Sequence, residues 1–207
     1  MRLFQTDNRI LSAAEVLFCR YGIKGVTMDD IARQLGMSKK TLYKEFEDKN
    51  AMIVSLVDSS IMAHHEKTLY FERTSQNAID EILHLMRYMG SLFTSVNPNV
   101  FYDMQRYHTE AWQRFRAFKE DQVLNYIVRN LEKGREQGLY RTDINIRILA
   151  VLRMEQLELA LNPSVFPSDR FNISEVNVQL LDHFLHGICT LKGHKLINKY
   201  MHKRESE

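Results

Sequence analysis

Residues 27–49 constrain the fold more than any other segment, because they contain the start and stop signals of two short helices. The segment reads TMDDIARQLGMSKKTLYKEFEDK. Thr27 can cap a first helix, and Asp30 can return a hydrogen bond to the Thr27 backbone in a capping box. Gly36 follows the last apolar residue, where glycine readily adopts the left-handed helix end. Because Ser38 is a good N-cap, the segment predicts a helix, a tight turn and a second helix.

Apolar residues recur at helical spacing through three consecutive segments at the N-terminus. In the last two segments they fall within residues 28–35 and 42–46. An earlier segment has the same spacing and is followed by Gly22, a residue that favours helix ends. The apolar face of this first segment consists of Ile10, Ala14, Leu17, Phe18 and Tyr21. The N-terminal region is therefore predicted to form three helices.

Two lysines at the start of the third predicted helix are unusual for a helix N-terminus. Lys39 and Lys40 would lie in the first turn, where a cation opposes the helix dipole at a cost of about 0.3 kcal/mol or more. An isolated lysine pair is ordinarily a solvated surface. A helix that enters the major groove of DNA would instead bring these lysines to phosphates and guanine acceptors. The helix signals on both sides of the pair favour the second interpretation.

The three predicted helices together resemble the DNA-binding domain of the TetR family of transcriptional regulators. The resemblance lies in AAEVLFCRYG at 13–22 and VTMDDIARQLGMSKKTLYKEFEDK at 26–49, which includes the TLY triplet ending at Tyr43. It covers the N-terminal part of the chain. It implies a homodimer that binds a double-stranded DNA operator, with a larger helical C-terminal domain for dimerisation and for a small-molecule effector.

The resemblance also implies contacts with phosphates and bases at particular positions. The implied DNA-binding residues are Thr27, Ser38, Lys39, Lys40, Thr41, Tyr43, Lys44 and Lys49. Asp48 could cap the helix that begins at Lys49, so free backbone N–H groups and an ammonium would meet an anion there. Glu45 stands where many relatives carry histidine. Its carboxylate repels phosphate but can accept a hydrogen bond from cytosine N4, and both roles stay open.

The composition is that of a soluble globular protein. The chain has 207 residues, of which 44% are hydrophobic and 26% charged, and its net charge of +2 is too small to predict DNA binding by itself. No apolar run of about 18 residues and no secretory signal appear, so we expect a cytoplasmic protein with no membrane partner. Cys19 and Cys189 are too few and too far apart for a disulfide framework or a metal motif. No metal or other cofactor is predicted.

Helical spacing continues through the rest of the chain, and no segment after residue 27 has the period of two expected of a half-buried strand. This predicts an all-α fold, with a helix-turn-helix DNA-binding domain over residues 1–47 and a helical regulatory and dimerisation domain over 48–207. The basic residues near the C-terminus are interpreted as a solvated tail. The predicted helices of the second domain cover 48–71, 79–96, 99–107, 110–137, 143–161 and 174–191.

Methionine and aromatic residues in the middle helices could line an apolar effector site, although they also suit an ordinary core. The candidate ligand-binding residues are Met89, Phe93, Tyr102, Tyr107, His108 and Trp112. The resemblance places the homodimer interface on the last two long helices, where ordinary intramolecular packing is the alternative. The candidate interface residues are Leu157, Leu181, Phe184 and Ile188.

The sequence therefore predicts a ligand-responsive repressor that binds a palindromic operator as a homodimer. The alternative is a DNA-binding dimer whose C-terminal domain is a packed dimerisation module without a ligand. An enzyme is not predicted, because the sequence has no glycine-rich phosphate loop, no GxSxG motif and no HExxH motif.

Overall fold

The computed structural model describes residues 9–93, 97, 99–167 and 169–202, and it confirms the all-α fold. Within these residues the one extended pairing is an isolated antiparallel bridge between Tyr140 and Cys189. Within the described ranges, no helix combines the length and the hydropathy that a membrane span requires. The helices are α1 (Arg9–Tyr21), α2 (Met28–Leu35), α3 (Lys39–Glu45), α4 (Lys49–Thr74), α5 (Ala78–Phe93), α6 (Asn99–Tyr107), α7 (Thr109–Phe118), α8 (Leu124–Glu136), α9 (Ile146–Ala160), α10 (Ile173–Ile188) and α11 (Leu191–His202).

The chain divides into two compact units. The first unit contains Met1–Glu66 and Ser91–Phe118, and the second contains Lys67–Gly90 and Lys119–Glu207. Helices α6 and α7 thus belong with the first three helices and the start of α4. The domain boundary predicted near residue 48 stays a prediction; α4 begins directly after it, at Lys49.

The first unit buries the apolar stripes of its short helices. Phe18 of α1, Ile31 of α2 and Leu42 of α3 are all almost completely shielded from solvent. Their spacing places one side chain from each helix against a shared core, as the sequence pattern predicts. Because α2 and α3 are short, this burial supplies much of what holds them in place.

The second unit contains a larger apolar core with a buried polar cluster inside it. The Asn130 side-chain amide donates to the Ala78 carbonyl and to the Glu81 carboxylate, at 3.0 Å each. Its oxygen accepts from the Tyr140 hydroxyl at 3.1 Å. The Lys133 ammonium donates to Glu81 at 2.5 Å. The core residues around this cluster include Ile79, Leu83, Ile127, Leu131, Met154, Leu181, Leu185 and Ile188.

Several predicted helix bounds are wrong for local reasons. The helix predicted over 110–137 contains a π-helical segment, Lys119–Val123, between α7 and α8. The next helix begins at Ile146 and not at Asp143, because Asn145 is its N-cap and accepts from the Ile148 N–H at 3.2 Å. The supposed C-terminal tail is helix α11 as far as His202, and residues 203–207 lie outside the described residues.

A close contact between α8 and the segment after it provides a test of the second core. A Cβ at Gly134 would lie 2.1 Å from ring carbons of the fully buried Tyr140. We expect Gly134→Ala to lower the free energy of unfolding by about 1–3 kcal/mol, because the ring must move. Urea denaturation measures this change. In the control, Gly187→Ala, the Cβ meets open space in α10, and an equal loss of stability in both variants would contradict the packing described.

Candidate nucleic-acid interface

Helix α2 begins with the capping box that the sequence predicts. The Thr27 hydroxyl accepts from the Asp30 N–H at 3.2 Å, and the Asp30 carboxylate accepts from the Thr27 N–H at 2.9 Å. The hydrogen bonds from Thr27, its hydroxyl first, hold the pKa of Asp30 below its usual value. At the other end Gly36 adopts the left-handed conformation, with φ of 64°. These confirmed caps fix both ends of α2.

Helix α3 is held by a cap at its start and by one buried side chain. Ser38 accepts from the Thr41 N–H at 3.1 Å, which confirms Ser38 as the N-cap. Leu42 is 0% exposed. The Phe46 N–H donates to the Leu42 carbonyl at 3.1 Å and ends the helix. The remaining residues of α3 are left on the surface.

That surface is cationic and lies along one side of a short helix. Lys40, Tyr43 and Lys44 are exposed at spacings of three and four residues, so they share a face of α3. Neither Lys40 nor Lys44 forms an ion pair within the part of the chain that the structure describes. Both ammonium groups are therefore available to a polyanion. The other predicted contacts on the surface are Thr27, Ser38, Lys39 and Thr41, and the unassigned Glu45 is exposed beside them.

Lys39 has a partner that sequence reasoning missed. Its ammonium forms an ion pair with the carboxylate of Asp29 on α2. Asp29 is an ordinary first-turn acid in sequence, so nothing marked it as the counterion of a residue in the next helix. The pair gives Lys39 a structural role besides the predicted one. Because both side chains are largely exposed, the pair contributes about 0–1 kcal/mol and can be exchanged for a phosphate at low cost.

Lys49 occupies a different environment from the one predicted for a phosphate ligand. Its ammonium donates to the carbonyls of Ile23 and Val26 at 2.5 Å each and lies 5.8 Å from the centre of the Phe18 ring. Burial lowers the pKa of Lys49. The side chain therefore ties the start of α4 to the loop between α1 and α2. Asp48 caps α4 as predicted, accepting from the Ala51 N–H at 2.8 Å.

Helix α6 is joined to the end of α1, a link that the sequence did not indicate. The Asn97 N–H donates to the Cys19 carbonyl at 2.7 Å. The buried Asp103 carboxylate accepts from the Lys24 N–H at 2.8 Å. A Cβ at Gly22 would lie 3.3 Å from the same carboxylate, so glycine permits this close approach. Movement of α6 would consequently act on the loop that precedes α2.

The candidate ligand-binding residues differ in their surroundings. Tyr102 and Tyr107 are nearly half exposed on α6, and their role in a ligand site stays a prediction. His108 is half-buried and forms a 2.5 Å hydrogen bond with Asn50, and Trp112 stacks obliquely near Phe115. Met89 belongs to the second unit, and the side chain of Phe93 lies outside the described residues.

The candidate dimer residues are mostly part of the chain's own core. Leu181, Phe184 and Ile188 of α10 are buried by their own chain within the second unit, and their place in a dimer interface stays a prediction. Leu157 is half-buried. The amphipathic pattern could not distinguish a face covered by the same chain from one covered by a second copy. The exposed apolar residues of α9 are instead Ile148, Val151, Leu152 and Leu159.

A capped pair of short helices with exposed cations on the second defines a helix-turn-helix DNA-binding protein. Residues 10–56 match the model of a family described as bacterial regulatory proteins, tetR family. The HTH-type transcriptional regulator YvaF of Bacillus subtilis is 25% identical over 185 residues, which are 88% of this chain and 95% of YvaF. Residues 10–56 thus carry the N-terminal DNA-binding domain of the TetR family, and the chain is similar over most of its length to an HTH-type transcriptional regulator.

Solved structures share the fold over almost the whole chain. A proposed transcriptional regulator from Saccharomonospora viridis in complex with choline is 18% identical with a TM-score of 0.70, over 88% of this chain and 96% of that one. FadR of Thermus thermophilus, a TetR family repressor in complex with lauroyl-CoA, is 20% identical with a TM-score of 0.57, over 88% and 94%.

The inward position of Lys49 gives a stability test. We expect Lys49→Met to lower the free energy of unfolding by about 1–3 kcal/mol, because two carbonyls lose their charged donor. Urea denaturation measures the effect. Lys40→Met removes an exposed lysine that forms no ion pair with any described residue, and should change stability by less than about 0.5 kcal/mol. Unfolding of both variants at the same urea concentration would show that the Lys49 ammonium is not a structural tie.

Proposed function

We propose that this protein is a homodimeric, ligand-responsive repressor that binds a palindromic operator. The observation that carries the proposal is the exposed face of α3, where Lys40, Tyr43 and Lys44 stand side by side. Arginine and lysine reach guanine acceptors and phosphates in the major groove, and tyrosine donates to phosphate. Since α3 is capped by Ser38, these groups are presented by a helix of fixed position.

The local charge favours two copies of this helix acting together. Residues 38–44 contain three lysines and no acid, whereas the whole chain carries a net charge of only +2. One such patch neutralises few phosphates, so firm binding needs a second patch on the same duplex. A two-fold dimer would place its recognition helices about 34–36 Å apart, one turn of DNA.

The exposed side of α9 is the surface we propose for the second copy. Ile148, Leu152 and Leu159 fall on one face of the helix, with Val151 beside them, and all four are exposed. Contiguous apolar surface of this kind marks interaction sites in soluble proteins. In a two-fold dimer the same patch meets its own copy, so one helix face supplies both halves of the interface.

Ligand response is supported by the bonds between α6 and the DNA-binding helices. Asn97 and Asp103 hold the end of α1 and the loop after it. An effector that moves α6 would therefore move the DNA-binding helices, and would change the distance between the α3 helices of the two subunits. It acts as an inducer only if it binds the non-operator state more tightly. The choline and lauroyl-CoA complexes of proteins with this fold support a small-molecule effector here.

The lysines of α3 predict a particular salt dependence. On an operator selected from random duplexes, we expect Lys40→Ala and Lys44→Ala each to weaken binding. Each phosphate contact removed lowers the salt slope of log K by about 1, so a homodimer that loses two contacts should lose about 2. Fluorescence anisotropy across about 50–200 mM salt measures both quantities.

The control is Lys195→Ala, which removes an exposed lysine of α11 and should leave the slope unchanged. Titration at high concentration should reach saturation at two chains per operator. An unchanged slope in both α3 variants, or saturation at one chain per duplex, would refute the proposed binding mode.

A further inference from the structure

Helix α9 carries a cation on the side that faces the core of the second unit. Its buried positions are Ala150, Arg153, Met154 and Ala160, which recur at the spacing of one helix face. Arg153 is only 5% exposed. A guanidinium thus stands in a row of otherwise apolar residues. Charged side chains are almost never this buried unless they are paired.

Arg153 has no anionic partner among the described residues. Its guanidinium donates to the Gln156 side chain at 3.4 Å, and its Cζ lies 5.9 Å from the centre of the Phe184 ring. Neither group carries a negative charge. Burial alone lowers the pKa of Arg153 to about 10, with no opposing carboxylate.

The nearest acids on the same helix are engaged elsewhere. The Lys119 ammonium forms ion pairs with both Glu158 and Glu155. Lys119 is itself largely shielded from solvent, and both carboxylates face its ammonium, with no ion pair to Arg153 among the described residues. Arg153, on the neighbouring turn, therefore has no negative charge paired with it among the described residues, although burying an unpaired charge is strongly unfavourable.

The residues around Arg153 limit which kind of anion could pair with its guanidinium. The guanidinium fork matches the two oxygens of a carboxylate or phosphate. Phe184 and Met154 next to it are apolar, which suits an organic body attached to that oxyanion. A carboxylate from a second subunit fits less well, because the exposed side of α9 carries Val151 and Leu152 while Arg153 lies on the inward side.

We propose that Arg153 binds the oxyanion head, a carboxylate or phosphate, of an effector whose apolar body lies along the inward side of α9. This inference rests on the proposed ligand-responsive function and names the class of effector. The arginine then has a role that a buried methionine could not perform. It is charged in the free protein and paired in the complex.

The test uses the full-length protein and three probes with one chain length: dodecanoate, dodecyl phosphate and the neutral dodecanol. Isothermal titration should show that the wild type binds at least one anion more tightly than the alcohol. Arg153→Met should weaken binding of that anion about 10-fold to 100-fold, the worth of charged hydrogen bonds, and leave dodecanol unaffected. Arg147→Met, which removes an exposed arginine of the same helix, should match the wild type. Preference between the two anions identifies the head group.

The free Arg153→Met protein should melt no lower than the wild type, since it removes an unpaired buried charge. A large fall in its Tm would show that Arg153 is a structural residue and would overturn the proposal. So would anion binding that is equal in Arg153→Met and wild type, or a wild type that binds neither anion in preference to dodecanol.

Operator release, followed by anisotropy, separates this inference from the proposed function. If the anion binds through Arg153 without releasing the operator, the site stands and the effector role fails. If the anion releases the operator equally from Arg153→Met, the effector role stands and the site is wrong.

Discussion

The structure depends on the stabilisation of a helix too short to fold alone. Isolated helices below about 12–15 residues are marginal in water, and α3 extends only from Lys39 to Glu45. The Ser38 cap satisfies a free N–H at its start, and the complete burial of Leu42 holds it against the other helices. Because the position of α3 is fixed from within, its exposed side chains can be cationic without any contribution to packing. A recognition surface is thereby separated from the residues that keep the domain folded.

Three lysines of similar sequence context have three different electrostatic environments. Lys39 is paired with Asp29, Lys40 is exposed without an ion pair among the described residues, and Lys49 donates inward to two carbonyls. Only the exposed lysines can approach a duplex without losing an internal hydrogen bond. Lys39 can exchange one anion for another, since a surface ion pair is weak. Lys49 instead fixes the start of α4 relative to the DNA-binding helices.

The caps at Thr27, Gly36 and Ser38 could be predicted because each depends on backbone groups a few residues away. The direction of Lys49 could not, because its acceptors belong to a loop brought close by folding. The burial of Leu181 and Phe184 by their own chain could not be predicted for another reason: an apolar helix face has the same sequence pattern whether its own chain or a partner covers it. That Arg153 has no anionic partner among the described residues could be recognised only from the packing of α9 in the structure. Local chemistry was thus readable from sequence, and long-range pairing was not.

Helix α3 is proposed to read DNA in the major groove, and methylation interference can examine this contact base by base. Dimethyl sulfate modifies guanine N7 in the major groove and adenine N3 in the minor groove, so the two grooves can be distinguished on one selected operator. If α3 lies in the major groove, we expect binding to be lost when N7 is methylated within two clusters of guanines about one helical turn apart. Loss of binding on adenine N3 methylation alone, with N7 methylation tolerated throughout the operator, would contradict it.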